Sequence, residues 1–270
     1  MANVEKDPQK HLIEQYQTAA NLNARIRLHQ RFSTNPYGWH RWVFDQFHLP
    51  AQCNILELGC GAGDLLLENR DRIPQGWEII LTDFSAGMLQ LAQERLQTFH
   101  PFRFELLDAR SIPYRFESQS LDAVIANHML FHISDREMVF AEIRRILKPG
   151  GYLFATTTGR RHLKEVAELL LRFDRELGSW GNVGDPFLLE NGEEQLLGWF
   201  SEVKRSRYED GLKVNEVAPL VEYILSGWTN IAREKERGLM ECVERELNDR
   251  GGEFCITKDS GIFTAVRGRE

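Results

Sequence analysis

Cysteine is scarce: four residues in 270, at Cys53, Cys60, Cys242 and Cys255. They form no CxxC pair and no His/Cys cluster with zinc spacing, so neither a disulfide framework nor a metal site is expected. No apolar run approaches the ~20 residues of a membrane span, and no apolar signal core opens the chain. Positive charge is not in excess either. Lys and Arg number 33 against 40 Asp and Glu, a formal charge of −7. That balance argues against a general nucleic-acid surface. Internal repeats and low-complexity tracts are missing too. The expectation is a cytoplasmic protein with reduced cysteines and no nucleic-acid partner, long enough for a full core as one large domain or as one domain with an appendage.

The glycines are concentrated where they carry information. Ile55-Leu56-Glu57-Leu58 reads as a buried strand and runs into Gly59, Gly61 and Gly63, with a helical pattern following through Asp64–Glu68. A strand, a glycine turn and a helix bring backbone against a nucleotide-like ligand in α/β proteins. Three further strand-like runs follow. Glu78–Thr82 ends in Asp83-Phe84-Ser85, Phe102–Leu107 in Asp108-Ala109-Arg110, and Leu121–Ala126 in Asn127-His128. Glu57, Asp83, Asp108 and Asn127 therefore stand at successive carboxyl ends of strands, the edge that forms the ligand crevice of an open α/β sheet.

The spacing also selects among ligands. A dinucleotide fingerprint places its third glycine where Asp64 stands. A carboxylate suits the N-cap of a helix but repels a pyrophosphate at the positive helix end. An adenosine ligand without phosphate fits better, which points away from NAD.

The series Glu57-Leu-Gly-Cys-Gly-Ala-Gly63, Leu81-Thr-Asp-Phe-Ser85, Leu107-Asp-Ala109 and Leu147-Lys-Pro-Gly-Gly-Tyr152 resembles the class I S-adenosylmethionine-dependent methyltransferases. The likeness covers roughly residues 50–158. It implies S-adenosylmethionine as cofactor, with Gly59, Cys60, Gly61 and Gly63 against the methionine portion and Glu57 supporting the turn. It implies that Asp83 accepts the ribose hydroxyls, with Phe84, Ser85 and Met88 beside it. Asp108 accepts from the adenine amino group, flanked by Ala109 and Arg110, and Asn127 holds the methionine ammonium. Carboxylates only accept hydrogen bonds, which suits hydroxyl and amino donors. Caps and turns are the plainer use of Asp83, Ser85 and Asp108.

The expected fold is α/β: a Rossmann-like, seven-stranded, mostly parallel sheet with helices on both faces and the last strand antiparallel. Residues 1–50 read as leading helices that form a lid, with Tyr16, Arg31 and Ser33 as lid contacts to the cofactor. Residues 51–270 form the methyltransferase domain, with insertions at 159–200 and 215–250. Expected helices cover Ala86–Thr98, Asp135–Leu147, Arg160–Leu177, Glu216–Gly227 and Thr229–Asn248. Expected late strands cover Tyr152–Thr156, Glu202–Tyr208 and Ile262–Val266. The added helices equally suit a homodimer contact.

For catalysis, His128 and His132 follow the fourth strand and are the candidate general bases for a hydroxyl acceptor. Their plainer roles are shaping the pocket and capping the next helix. Base methylases often carry Asn/Asp-Pro-Pro-aromatic at this place. Asn127-His128-Met129-Leu130 departs from that, which favours a small-molecule acceptor. Met129, Leu130 and Phe131 are candidates for an apolar pocket wall and equally for core. Two other readings stay open: a binding module that holds the cofactor without transfer, and a transferase using a modified cofactor.

Overall fold

The computed structural model describes residues 27–175, 186–228, 231 and 233–269. The chain divides into two compact units. One comprises Tyr37–Arg160, Val183–Tyr208 and Asp259–Glu270, the other Met1–Pro36, Arg161–Asn182 and Glu209–Lys258.

Seven strands form one sheet: β1 (Gln52–Leu58), β2 (Gly76–Asp83), β3 (Arg103–Leu106), β4 (Leu121–Asn127), β5 (Leu147–Thr158), β6 (Glu202–Val214) and β7 (Phe254–Val266). Their order is β3-β2-β1-β4-β5-β7-β6. Pairing is parallel from β3 through β5, and β7 runs antiparallel to β5. The sequence reads at this level as the sheet stands.

The central strands are mostly apolar because both faces are covered, as in parallel sheets generally. Leu56, Leu58, Val124 and Ala126 enter one buried cluster with Phe140 and Ile143. Ile55, Ala123 and Ile125 enter the other with Val43, Phe47, Leu65 and Leu66. Helix α1 (Trp39–Asp45) and α2 (Asp64–Glu68) belong to that second layer, and α3 (Ala86–Leu96) adds Ala92 and Leu96. Helix α4 (Arg136–Ile146) has Asp135 as N-cap, with the carboxylate accepting from the Met138 N–H, and Arg144 and Arg145 in its last turn. Both ends suit the helix dipole.

In the other unit, α5 (Lys164–Phe173), α7 (Val217–Gly227) and α8 (Glu236–Asp249) bury Val166, Leu169, Leu220, Ile224, Leu239 and Val243 in one core. A helical stretch at 27–32 contributes Leu28 and Phe32.

Several boundaries differ from expectation. Strand β5 begins at Leu147 and passes through Pro149-Gly150-Gly151, ahead of the expected start at Tyr152. Pairing with β4 shifts register between Leu121 and Ala123, and Gly150 adopts φ 78°, so a bulge absorbs the extra residues. Strands β6 and β7 are 13 residues each, longer than the apolar runs that announced them. Charged residues on β6 hide its alternation. Helix α6 (Gly192–Leu197) is too short to show periodicity. Tyr16 and residues 178–185 of the expected insertion at 159–200 lie outside the described residues.

Candidate functional site

The glycine turn closes β1 onto β2. Cys60 N–H donates to the Thr82 carbonyl at 2.9 Å, and Gly63 N–H to the Cys60 carbonyl at 3.0 Å. Gly63, at φ 77°, is the cap that launches α2; a Cβ there would stand 2.5 Å from Leu96 Cδ1. Asp64 is thus the first helical residue and not the cap. Its carboxylate pairs with Arg95 at 2.7 Å, and Arg95 also donates to the Ala62 carbonyl at 2.7 Å. Gly59 lies at φ 68° with its α-carbon face closed by Met129, whose Cβ would be 3.1 Å from an added methyl.

Asp83 ends β2 and reaches back into this turn. One carboxylate oxygen accepts from Gly61 N–H at 2.9 Å, the other from Ser85 N–H at 2.8 Å. Burial raises its pKa above the ordinary carboxylate range, against the pull of the Ser85, Gly61 and Phe84 N–H groups. Ser85 caps α3, its hydroxyl accepting from Met88 N–H at 3.4 Å. Met88 is buried and Phe84 half-buried. The capping role and the expected site role fall on the same residues.

Glu57 is 1% exposed, and its Oε2 has no hydrogen-bond partner. Burial first, then the Asp83 and Asp64 charges, push its pKa up to about 8. A neutral carboxyl under the turn is therefore its state near pH 7.

At the end of β3, Asp108 is held by Arg110. The Arg110 backbone N–H and Nε donate to one oxygen at 2.9 Å, and Nη2 donates to the other at 2.5 Å. This fork holds the carboxyl below its usual range. The Ala109 carbonyl accepts from the Tyr114 hydroxyl at 2.6 Å.

At the end of β4 the Asn127 side-chain oxygen accepts from Thr156 Oγ1 at 2.6 Å, and the same Oγ1 accepts from His128 N–H at 2.8 Å. His128 adopts φ 52°. Its ring lies 5.1 Å from Trp39 and 6.2 Å from Phe131. His132 is exposed on a 3-10 turn, its ring 4.3 Å from Phe131; the cap of the following helix is Asp135, not His132. Of the expected apolar wall, Leu130 is fully buried core, while Met129 and Phe131 remain partly exposed. The 3-10 turn rotates Leu130 under the sheet and its neighbours away.

Arg31 and Ser33 belong to the other unit. Arg31 pairs with Glu216, and the Ser33 hydroxyl donates to Asp210 at 2.8 Å. Trp39, Thr156 and Tyr114 are contributors that the sequence did not single out. Thr156 closes the fifth strand, so the edge rule that found Asn127 also reaches it. Trp39 reads as helix packing until its neighbours are known.

A methyltransferase domain model matches residues 56–155. Residues 56–155 thus carry a methyltransferase domain. This domain is 31% identical over 123 residues to a demethylmenaquinone methyltransferase of Lactiplantibacillus plantarum, covering 45% of this chain and 52% of that protein. It is 27% identical over 117 residues to the ubiquinone/menaquinone biosynthesis C-methyltransferase UbiE of Hahella chejuensis, covering 43% and 47%. The chain thus spans about half the length of the curated relatives it matches. Among solved structures, a Haemonchus contortus phosphoethanolamine N-methyltransferase 2 in complex with S-adenosyl-L-methionine aligns at TM-score 0.59 and 20% identity, over 99% of this chain and 61% of that one. The [4+2]-cyclase SpnF aligns at TM-score 0.60 and 18% identity, over 98% of each chain. At such identities these two structures speak for the fold of the domain alone. One is named as a methyltransferase and the other as a cyclase, so the fold by itself does not fix the reaction.

Proposed function

We propose that the protein is an S-adenosylmethionine-dependent methyltransferase that methylates an O, N or C nucleophile of a small molecule, in a cytoplasmic setting. The observation that carries the reading is Asp83. Its buried carboxylate binds the backbone of the glycine turn and of the next helix, and an ionised carboxylate keeps acceptor capacity beyond those two bonds. That suits a ribose diol. An added Cβ at Gly61 would meet nothing within 4 Å, so the turn has open space above it. The residues present fit the cofactor.

In this reading Asp108 faces the adenine amino group. Asn127, fixed by Thr156, takes the methionine ammonium, and Gly59, Cys60, Gly61 and Gly63 line the methionine portion. When bound, S-adenosylmethionine supplies a methyl on a sulfonium, a leaving group that departs as a neutral thioether. The protein aligns the nucleophile, an effect that reaches about 7–11 kcal/mol in well-oriented systems. His128 accepts the proton of a hydroxyl acceptor, contributing about 10²–10⁴-fold. The quinone-directed names of the sequence relatives support a small-molecule acceptor of quinone type.

Calorimetric titration with S-adenosylmethionine and S-adenosylhomocysteine tests the reading. Micromolar binding of both, lost in Asp83→Ala, supports it. Absence of binding to the wild-type protein overturns it.

A further inference from the structure

Trp39 occupies the centre of a ring cluster. Its indole lies 5.5 Å from Trp42 with the ring planes 30° apart, and 5.4 Å edge-on from Tyr208. Trp42 and Tyr208 also meet each other, at 5.3 Å. Two neighbours therefore fix the indole before it meets its third contact, the His128 imidazole at 5.1 Å and 35°.

His128 needs such a contact. Its backbone is held in the left-handed region by the bond from its N–H to Thr156. A non-glycine residue there is strained, and such strain clusters at functional sites. Yet the backbone leaves the ring undetermined, because the torsion that turns an imidazole about its Cβ–Cγ bond is broad. A base must bring one ring nitrogen within about 2.6–3.2 Å of the proton it takes. A surface against the ring face restricts that angle, and the Trp39 indole supplies one.

We propose that Trp39 is a positioning residue for the proton-accepting imidazole of His128, restricting the plane of the ring by packing against it at a tilt. The proposal rests on the methyltransferase reading, with His128 as base. Trp39 itself touches neither the cofactor nor the transferred proton.

A double-mutant cycle tests it, with 1,4-dihydroxynaphthalene as acceptor probe, alongside proton NMR of the His128 ring. Trp39→Leu lowers kcat about tenfold and leaves KM for S-adenosylmethionine within about twofold. In a His128→Gln background the same change has no further effect, because the two residues act as a unit. Trp39→Phe, which keeps a ring face, recovers most of the rate. In the wild type the His128 Cε1 proton, assigned through His128→Gln, is shifted upfield by the indole. The shift shrinks in Trp39→Phe and vanishes in Trp39→Leu. The ring-current comparison needs neither cofactor nor turnover, and Trp39→Phe suffices for it should Trp39→Leu not fold. An unshifted wild-type resonance, a shift unaltered by either variant, or additive losses in the cycle would each overturn the proposal. Failure of the wild type to bind S-adenosylhomocysteine instead sinks the functional reading, and calorimetry reads that separately.

Discussion

The Asp83 carboxylate accepts the Gly61 N–H at 2.9 Å, joining the end of one strand to the turn that follows its neighbour. The bond makes one residue both a structural tie and a candidate ligand group. Asp83→Ala is expected to weaken S-adenosylhomocysteine binding by at least tenfold, since a charged hydrogen bond contributes about 1.5–3 kcal/mol. It should also lower unfolding stability by about 1–3 kcal/mol, because two backbone donors lose their acceptor. Calorimetry and urea titration read the two effects. Unchanged cofactor affinity would remove Asp83 from the site.

The glycines of the turn should differ in their tolerance of a methyl group. At Gly63 a Cβ meets Leu96 Cδ1 at 2.5 Å and the backbone is left-handed, whereas at Gly61 it meets nothing within 4 Å. Gly63→Ala adds overpacking of about 1–3 kcal/mol to a backbone cost of about 1–2 kcal/mol. Gly61→Ala carries the backbone cost alone, so its urea midpoint falls less. Its larger effect is expected in cofactor affinity, where the added methyl enters the open space above the turn. Equal midpoints for the two variants would contradict the geometry.

Glu57 sets a pH dependence. Burial raises its folded-state pKa to about 8 from the ordinary value of 4.5. Between those values the folded state holds a proton that the unfolded state has released. Stability from this group is therefore full below about pH 4.5 and falls as pH rises toward 8, by up to about 1.4 kcal/mol per pH unit. Denaturant melts of wild type and Glu57→Gln between pH 5 and 8 separate this slope from the rest of the protein. The glutamine variant should flatten it. Identical slopes would mean that Glu57 is ionised in the fold.

The two histidines after β4 should not be equivalent. His128 is fixed through Thr156 and the aromatic rings, while His132 is exposed. His128→Gln should retain S-adenosylhomocysteine binding and lose about 10²-fold or more in turnover on a hydroxyl acceptor. His132→Gln should stay within about threefold of wild type. The reverse ranking would exchange their roles.

Much of the sheet was legible because both faces are covered, so β1, β2 and β4 appear as unbroken apolar runs that end in polar residues. The residues at those ends, Glu57, Asp83, Asp108 and Asn127, follow from strand order alone. Short or charged elements left less trace. Gly192–Leu197 spans under two helical turns, and the second half of β6 is written in Glu209, Asp210 and Lys213.

What the sequence determined by itself is the order of strands, the glycine turn and the set of acids at one sheet edge, because period and spacing are local properties. Contacts between distant segments were decided only by the tertiary structure. It tied Asp83 to Gly61, closed Arg110 over Asp108, moved the helix cap from Asp64 to Gly63 and set Trp39 against His128. No local pattern encodes those pairings. Each depends on where packing of the two apolar layers places residues that are far apart in the chain, or on the backbone angles of a turn that only the assembled sheet imposes.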